Sequence, residues 1–353
     1  MAEAIVQVAA LGASTPLGRD AWSSAAAVRA GIAAFADHPY MIDDGGGKPM
    51  KVAMAPWLDC NLSGVPRFMA LLEPTIDEVS RVLDLGDATH LNVALALGVP
   101  TTRPGLPDEL GRSLLSALRP PRGWNSWKTA IFAADHAAGL LALEAAWRKL
   151  SDQSLDACIV AGVDSYLEPE TLEWLEAENQ LHGAALQSNP WGLTPGEGAG
   201  ALLVVRDDVL RQLGVRPLSR VVSVSRGFEP KHMRSQQIGI GEGLTQVMSD
   251  VLDVLPAPSQ ATDVYCDMNP QPYRADEFGF AAVRTGGRLR DAADLTTPAD
   301  CWGDVGAASG PLLALLATCA ALKGYAQGPH ALLWTSSPNG ERAACLLQSA
   351  YME

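Results

Sequence analysis

Two stretches, HAAGLLALEAA (136–146) and AASGPLLALLA (307–317), are apolar on nearly every face a helix would present. A surface helix shows one apolar stripe; a helix that is greasy all round is buried all round. Neither stretch is long enough to span a bilayer. Both are therefore expected between two sheets, with their heads opening onto one interior pocket. They share LLAL at Leu140 and Leu312, an offset close to half of the 353 residues. Each follows a loop bearing Gly or Asp, which points to a tandem duplication.

The rest of the chain alternates strand-like and helix-like patterns. IVQVAAL, HLNVALALGV, DACIVAGV, GAGALLVV, TDVYCDM, HALLWTS and AACLLQS read as strands. RDAWSSAAAVRAGI, PDELGRSLLSAL, PETLEWLEAENQL and GLTQVMSDVLDVL read as helices. Such alternation predicts an α/β fold whose strands are covered on both faces. The second half begins near RPLSRVVSVSRG, so halves of 1–206 and 207–353 are expected.

A formal charge of −14 excludes nucleic acid and anionic membrane surfaces as partners. The one locally basic run, 119–128 (RPPRGWNSWK), reads as a solvated Pro/Trp-rich loop. The start, MAEAIVQVAALG, lacks the positive charge of a signal peptide and runs into a strand, which makes the cytoplasm the expected compartment. Six cysteines are scattered without metal-ligand spacing and read as reduced core residues, so neither a metal nor a cofactor is expected. His38, His90, His182, His232 and His330 show no ligand spacing either and read as surface or capping residues.

The glycines of PGEGAGA (195–201) let a strand pass close beneath a neighbouring helix or loop. A phosphate loop is excluded, because LLVV follows instead of a helix and no Lys-Ser/Thr completes the motif. GIGEG (239–243) reads as a loop entering a helix.

Four segments together resemble β-ketoacyl synthases, condensing enzymes of the thiolase superfamily. STPLGRDAWSSAAAVRAGIAAF (14–35) is similar to their opening strand-loop-helix, and CIVAGVDS (158–165) to their AGG-acidic strand end. GLTPGEGAGALLVV (192–205) resembles PxGEGAGAxVLE, and GDVGAASGPLLALL (303–316) resembles GHTxGAAG with its helix. The resemblance implies a thiolase-like αβαβα layered sandwich of two similar halves, and a dimer formed through strands beside the buried N-terminal helix.

The resemblance also implies where chemistry sits. The family's nucleophilic cysteine, in a TACAxG-type motif aligned through Gly139, falls on His136. The first family histidine matches Asp267 in VYCDMNPQPYRADEFG, and the second matches Gly303 in WGDVGAASG. The C-terminal FGFGG loop becomes SSPNGER (336–342). Without thiolate and imidazoles, the covalent acyl carrier and the carbanion stabilisers are lost together. One positioned acid or base alone is worth roughly 10²–10⁴ in rate.

A histidine at a helix head meets the positive end of the dipole, which disfavours imidazolium unless Asp135 or Asp267 offsets it. The expected catalytic set is therefore His136, Asp267 and Asp135, with Asp267 orienting the ring. The alternative is that His136 fills the vacated space and bonds Asp267 or a backbone carbonyl. Cys266, Cys301, Gly303, Asp304, Asn339 and Gly340 are expected to line the pocket. Cys266 and Cys301 are either displaced nucleophiles or inert buried thiols. Asp267, Asn269, Arg274, Asp276 and Glu277 form either a polar ligand site or a loop held by an Arg-carboxylate pair.

Three functions follow as expectations. The first is a non-condensing pseudoenzyme of fatty-acid or polyketide-type metabolism, a chain-length-factor-like partner or acyl-ligand binder. The second is an acyl transferase or thioesterase using His136 with Asp267. The third is condensation through Cys301 or Cys266. Implied partners are a second copy or a ketosynthase-like subunit, with acyl carrier protein or acyl-CoA.

Overall fold

In the computed structural model, residues 4–84, 90–120, 127–184, 189–235 and 237–350 are described. Most of the 119–128 loop lies outside them. Twelve strands occur among the described residues: β1 (Val6–Ser14), β2 (Phe35–Ile42), β3 (Pro49–Ala53), β4 (Val93–Val99), β5 (Lys128–Ala133), β6 (Ala157–Ser165), β7 (Glu197–Arg206), β8 (Ser219–Phe228), β9 (Asp263–Cys266), β10 (Leu295–Thr296), β11 (His330–Ser336) and β12 (Glu341–Ser349).

Ten of these strands run in the order β10-β9-β11-β12-β8-β1-β7-β6-β4-β5, and β2 and β3 form a separate hairpin. The order reads alike from both ends. From β1 outward lie β7, β6, β4 and β5; from β8 outward lie β12, β11, β9 and β10. The expected pair of sheets is thus continuous, joined where Val6, Gln7 and Val8 pair antiparallel with Val221, Arg220 and Ser219.

The helices Ala138–Ser151 and Ser309–Leu322 are the two predicted apolar ones. The first packs on β4, β6 and β8, and the second on β7, β11 and β12. Gly64–Asp84 covers the outer face of β1, β7 and β6, while Glu242–Leu252 covers β8 and β12. Helix, sheet, helix, sheet, helix follow in layers, the thiolase-like αβαβα arrangement. Leu140, Leu143, Leu312, Leu313 and Leu316 lie in the central core, where nearly all solvent is excluded. Apolar burial of this kind contributes about 1.5–3 kcal/mol per large side chain.

Glycine sets how closely these layers approach. A Cβ on Gly139 would stand 2.3 Å from Pro311 Cδ, and one on Gly310 would stand 2.7 Å from the Leu140 amide. The two central helices therefore touch near their heads, backbone to backbone. Gly200 of the PGEGAGA segment lies beneath Leu312, as the sequence predicts.

The segment's acid has a structural task. Glu197 receives Arg67 Nε and Nη2 at 2.6 and 2.8 Å, and also the Ala55 amide at 2.8 Å. This buried fork ties the outer Gly64–Asp84 helix to β7. Among the described residues no helix is long and apolar enough to cross a membrane.

Candidate functional site

The head of the Ala138–Ser151 helix is preceded by a turn of 3-10 helix, Asp135–Ala137. Asp135 enters it at φ 46°, a left-handed conformation that Asp tolerates better than most side chains. That twist turns the Asp135 carboxylate toward Thr101, whose amide donates at 2.9 Å and whose hydroxyl donates at 2.8 Å. Asn339 Nδ2 donates to the same carboxylate at 3.0 Å. Asp135 is thus occupied by the end of β4 and the 336–340 loop, with no bond to His136.

His136 is buried, with 3% of its surface exposed. Its Nε2 lies 2.8 and 2.9 Å from the two carboxylate oxygens of Asp304. Burial pushes the Asp304 carboxyl up, but the His136 ring, Arg274 and the Gly306 amide outweigh it and hold the group well below the usual carboxylate range. An ionised carboxylate only accepts hydrogen bonds, so Nε2 carries a proton. Nδ1 is buried without a hydrogen-bond partner.

Asp304 is fixed from several sides. Asn269 Nδ2 donates to Oδ2 at 2.7 Å and the Gly306 amide to Oδ1 at 2.9 Å. The Asp304 amide donates to Thr194 O at 2.8 Å, and the Gly196 amide donates to Asp304 O at 2.9 Å. The entrance of PGEGAGA therefore anchors the backbone of the 303–304 turn. Gly303 makes this possible at φ 75°, where a Cβ would stand 2.9 Å from Thr194 O.

Asp267 is not the partner of His136. Its Oδ2 lies 3.0 Å from Arg274 Nη1 and accepts from the Ser336 amide at 2.9 Å. The reason is local: Asp267 follows β9 directly, and its side chain closes the gap to the end of β11. The loop reading of the 267–277 cluster holds for Asp267 and Arg274. Glu277 pairs instead with Arg342, and Asn269 joins the Asp304 network. Sequence alignment through the GAA of GDVGAASG put Gly303 at the second family histidine; the carboxylate one residue later is what reaches the ring.

A cavity of about 30 Å³ lies beside His136, water-sized by volume. Arg103, Tyr166, Trp174, Gln271 and Tyr273 contribute to its wall. None of Cys266, Cys301, Gly303, Asp304, Asn339 or Gly340 does; Cys266, Gly303 and Asp304 line a separate cavity of about 10 Å³ with Asp267 and Trp302. Gly303 and Asp304 turn beneath the ring through their backbone bonds. Asn339 is spent on Asp135, and Gly340 packs on Phe228. Cys266 belongs to the outer core with Phe278 and Trp334. Cys301 sits on the short helix Ala299–Trp302, whose Cys301 carbonyl accepts from Ala34.

Beside the helix head, Ser337 Oγ accepts from the Ala137 amide at 2.9 Å and donates to Ala134 O. The helix end is thereby capped from within the chain. Arg103, which the sequence did not single out, holds Asp164 at 2.6 Å and stacks over Tyr166 at 4.1 Å. Asp164 in turn accepts from the Ala307 amide at 3.0 Å, at the head of the second central helix. His38 is buried within an irregular stretch of β2, its Nδ1 accepting from the Tyr40 and Met41 amides. No cluster of His, Cys, Asp or Glu suited to a metal ion occurs among the described residues.

The layered architecture is thiolase-like, a fold shared with solved ketosynthases. The family model for the N-terminal domain of beta-ketoacyl synthase matches residues 129–209, from β5 through β7. No curated protein sequence matches the chain.

Solved structures resemble it over nearly its whole length. One is a chain of AntDE:AntF, a type II PKS acyl-carrier protein in complex with its ketosynthase, at TM-score 0.81 and 13% identity over 99% of this chain and 100% of that one. Another is a beta-ketoacyl synthase from Burkholderia phymatum STM815, at 0.72 and 15%, covering 99% and 100%. A third is the ishigamide ketosynthase/chain length factor, at 0.64 and 18%, covering 98% and 99%. At these identities the likeness is one of fold.

Proposed function

We propose that this chain is a non-condensing ketosynthase-like subunit of fatty-acid or polyketide-type metabolism, standing beside a condensing partner as a chain length factor does. One observation carries the reading: the seat at the head of the buried helix holds an imidazole locked to an ionised carboxylate. Condensation needs a thiolate there and donors aimed at a developing carbanion. The Asp304 charge repels such a carbanion. The cavity beside the ring is water-sized.

The displaced-thiol route is disfavoured on the same grounds. Burial raises the Cys266 and Cys301 thiols, so the reactive thiolate is scarce at both. The chain divides into the halves 1–206 and 207–353, acts in the cytoplasm, and meets acyl groups as thioesters of acyl carrier protein or coenzyme A. The edge strand β5 supports a dimer contact: five of its six side chains are exposed, Ile131 at 38%.

A second reading rests on the His136–Asp304 pair itself, because a carboxylate that orients an imidazole is the arrangement of many acyl-transferring sites. Acyl transfer or thioester hydrolysis would then use His136 with Asp304 in place of Asp267.

The test mixes the protein with an intact ketosynthase from the same source and measures mass by light scattering. Acyl-CoA and acyl-carrier thioesters are incubated with it in parallel. Expected are a mixed dimer, no thiol release and no acyl adduct. Thiol release that vanishes in His136→Ala overturns the proposal in favour of the second reading. An adduct on Cys266 or Cys301 overturns it in favour of a displaced nucleophile.

A further inference from the structure

The helix Ala138–Ser151, apolar on nearly every face in sequence, keeps one side uncovered. Leu141 and Ala145 are only half-buried and Arg148 is exposed. These three follow one stripe along the helix, on the side away from the contact of Gly139 with Pro311. The helix packs on both β5 and β8, which flank the stripe. β5 ends the sheet and pairs only with β4, so its other edge is free. On the β8 side Arg226 and Phe228 are exposed. Half-covered apolar side chains beside an unpaired strand edge make a face that another chain can cover.

The same stripe carries an unbalanced charge. Glu144 is buried and pairs with Arg148 Nε, and Arg226 Nε lies 3.9 Å from the same carboxylate oxygen. The Arg148 and Arg226 side chains are 62% and 61% exposed. Among the described residues Glu144 is the only carboxylate within 4 Å of either. One carboxylate against two guanidiniums leaves a positive charge, in a chain whose formal charge is −14. Lys128 adds to it. Phe132 packs against the central core, so strand alternation puts Lys128 on the helix-facing side of β5 and leaves its head exposed.

We propose, building on the reading of the chain as a subunit beside a condensing partner, that this face selects a different chain over a second copy. The chain it fits is a ketosynthase-like subunit with acidic side chains opposite Arg148 and Arg226. A contact between identical chains through β5 is two-fold symmetric and sets like stripe toward like stripe. Two positive clusters then share one interface, and like charges there oppose association. An acidic partner instead neutralises Arg148 and Arg226 while its own surface covers Leu141 and Phe228. Strand pairing at β5 is open to either partner; the charge decides between them.

Arg226→Glu changes the cluster from one net positive charge to one net negative, so this variant serves as an acid-bearing copy. Sedimentation velocity compares wild type, the variant and their equal mixture. The mixture is expected to dimerise at least about tenfold more tightly than either chain alone. Arg226→Gln, which removes the charge without reversing it, is expected to self-associate at least about threefold more tightly than wild type. If Arg226→Glu does not fold, Arg226→Gln decides. A mixture that dimerises no more tightly than wild type alone, or an Arg226→Gln variant no tighter than wild type, would overturn the proposal. Neither result bears on thiol release, by which the non-condensing reading stands or falls.

Discussion

His136 and Asp304 are 168 positions apart in the chain and 2.8 Å apart in space, each at the head of one of the two buried helices. The pair closes the interface between the two sheet halves with a charge-assisted hydrogen bond.

Asp304→Asn is expected to cost about 1–3 kcal/mol at neutral pH, since the amide keeps the shape and loses the charge. The pH dependence has a definite sign. The Asp304 carboxyl is lowered in the folded protein, so its stabilisation is fully present above the ordinary carboxylate value near 4 and fades as pH falls below it. Urea midpoints of wild type and variant, compared across acid pH, should converge toward the acid end. Parallel curves would refute this.

His136→Cys returns a thiol to the helix head without returning condensation. The new sulfur faces the Asp304 carboxylate, which opposes its ionisation. Loss of the imidazole also leaves that carboxylate buried without its main partner, a loss of about 3–5 kcal/mol. Alkylation by iodoacetamide slower than that of free cysteine, with a lowered urea midpoint, is the expected result.

Gly306→Ala should be among the most damaging single methyl additions in the chain. Its Cβ would stand 2.0 Å from Asp164 Oδ2, and the residue sits at φ 44°. Gly183→Ala is the control: its φ is 76°, yet nothing lies within 4 Å of the added carbon. Thermal unfolding should show the control paying only backbone strain of about 1–2 kcal/mol, and Gly306→Ala about 3 kcal/mol or more.

Ile131→Asp on the edge strand β5 should shift any dimer toward monomer, at a cost of about 1–2 kcal/mol to the monomer's own stability. Sedimentation velocity reads the mass and urea unfolding reads the stability. An unchanged mass would place the contact elsewhere.

The α/β class, the two buried helices and the positions of most strands along the chain were legible because each rests on a local pattern. IVQVAAL, DACIVAGV and GAGALLVV are short apolar runs bounded by turns, and they became β1, β6 and β7. β5 was missed because KTAIFA at a sheet edge buries little and shows no strong alternation. The helix Gly64–Asp84 was missed with Pro74 inside it, although its apolar stripe is evident once Phe68, Leu71, Leu72, Ile76 and Val79 are seen on one face.

The site was legible in part. His136 was identified because a ring at the head of a greasy helix needs a partner. Its partner was misassigned, since choosing among Asp135, Asp267 and Asp304 depends on which loops converge there. Asp304 carries a signal in the sequence: it is the one charged residue of GDVGAASG, a motif otherwise made of small apolar residues and a serine. Arg103 carried none, because its role depends on Asp164 and Tyr166, about sixty residues away in sequence.

The contact between Gly139 and Gly310 separates what this architecture must keep from what it is free to change. The closest approach of the two helices lies just inside their heads, in backbone atoms that leave no room for a side chain. The side chains just outside, those of 136 and 304 among them, meet across the gap and leave this backbone contact untouched. A lineage built this way can exchange one reactive pair for another, or retire chemistry altogether, while its foundations stay put.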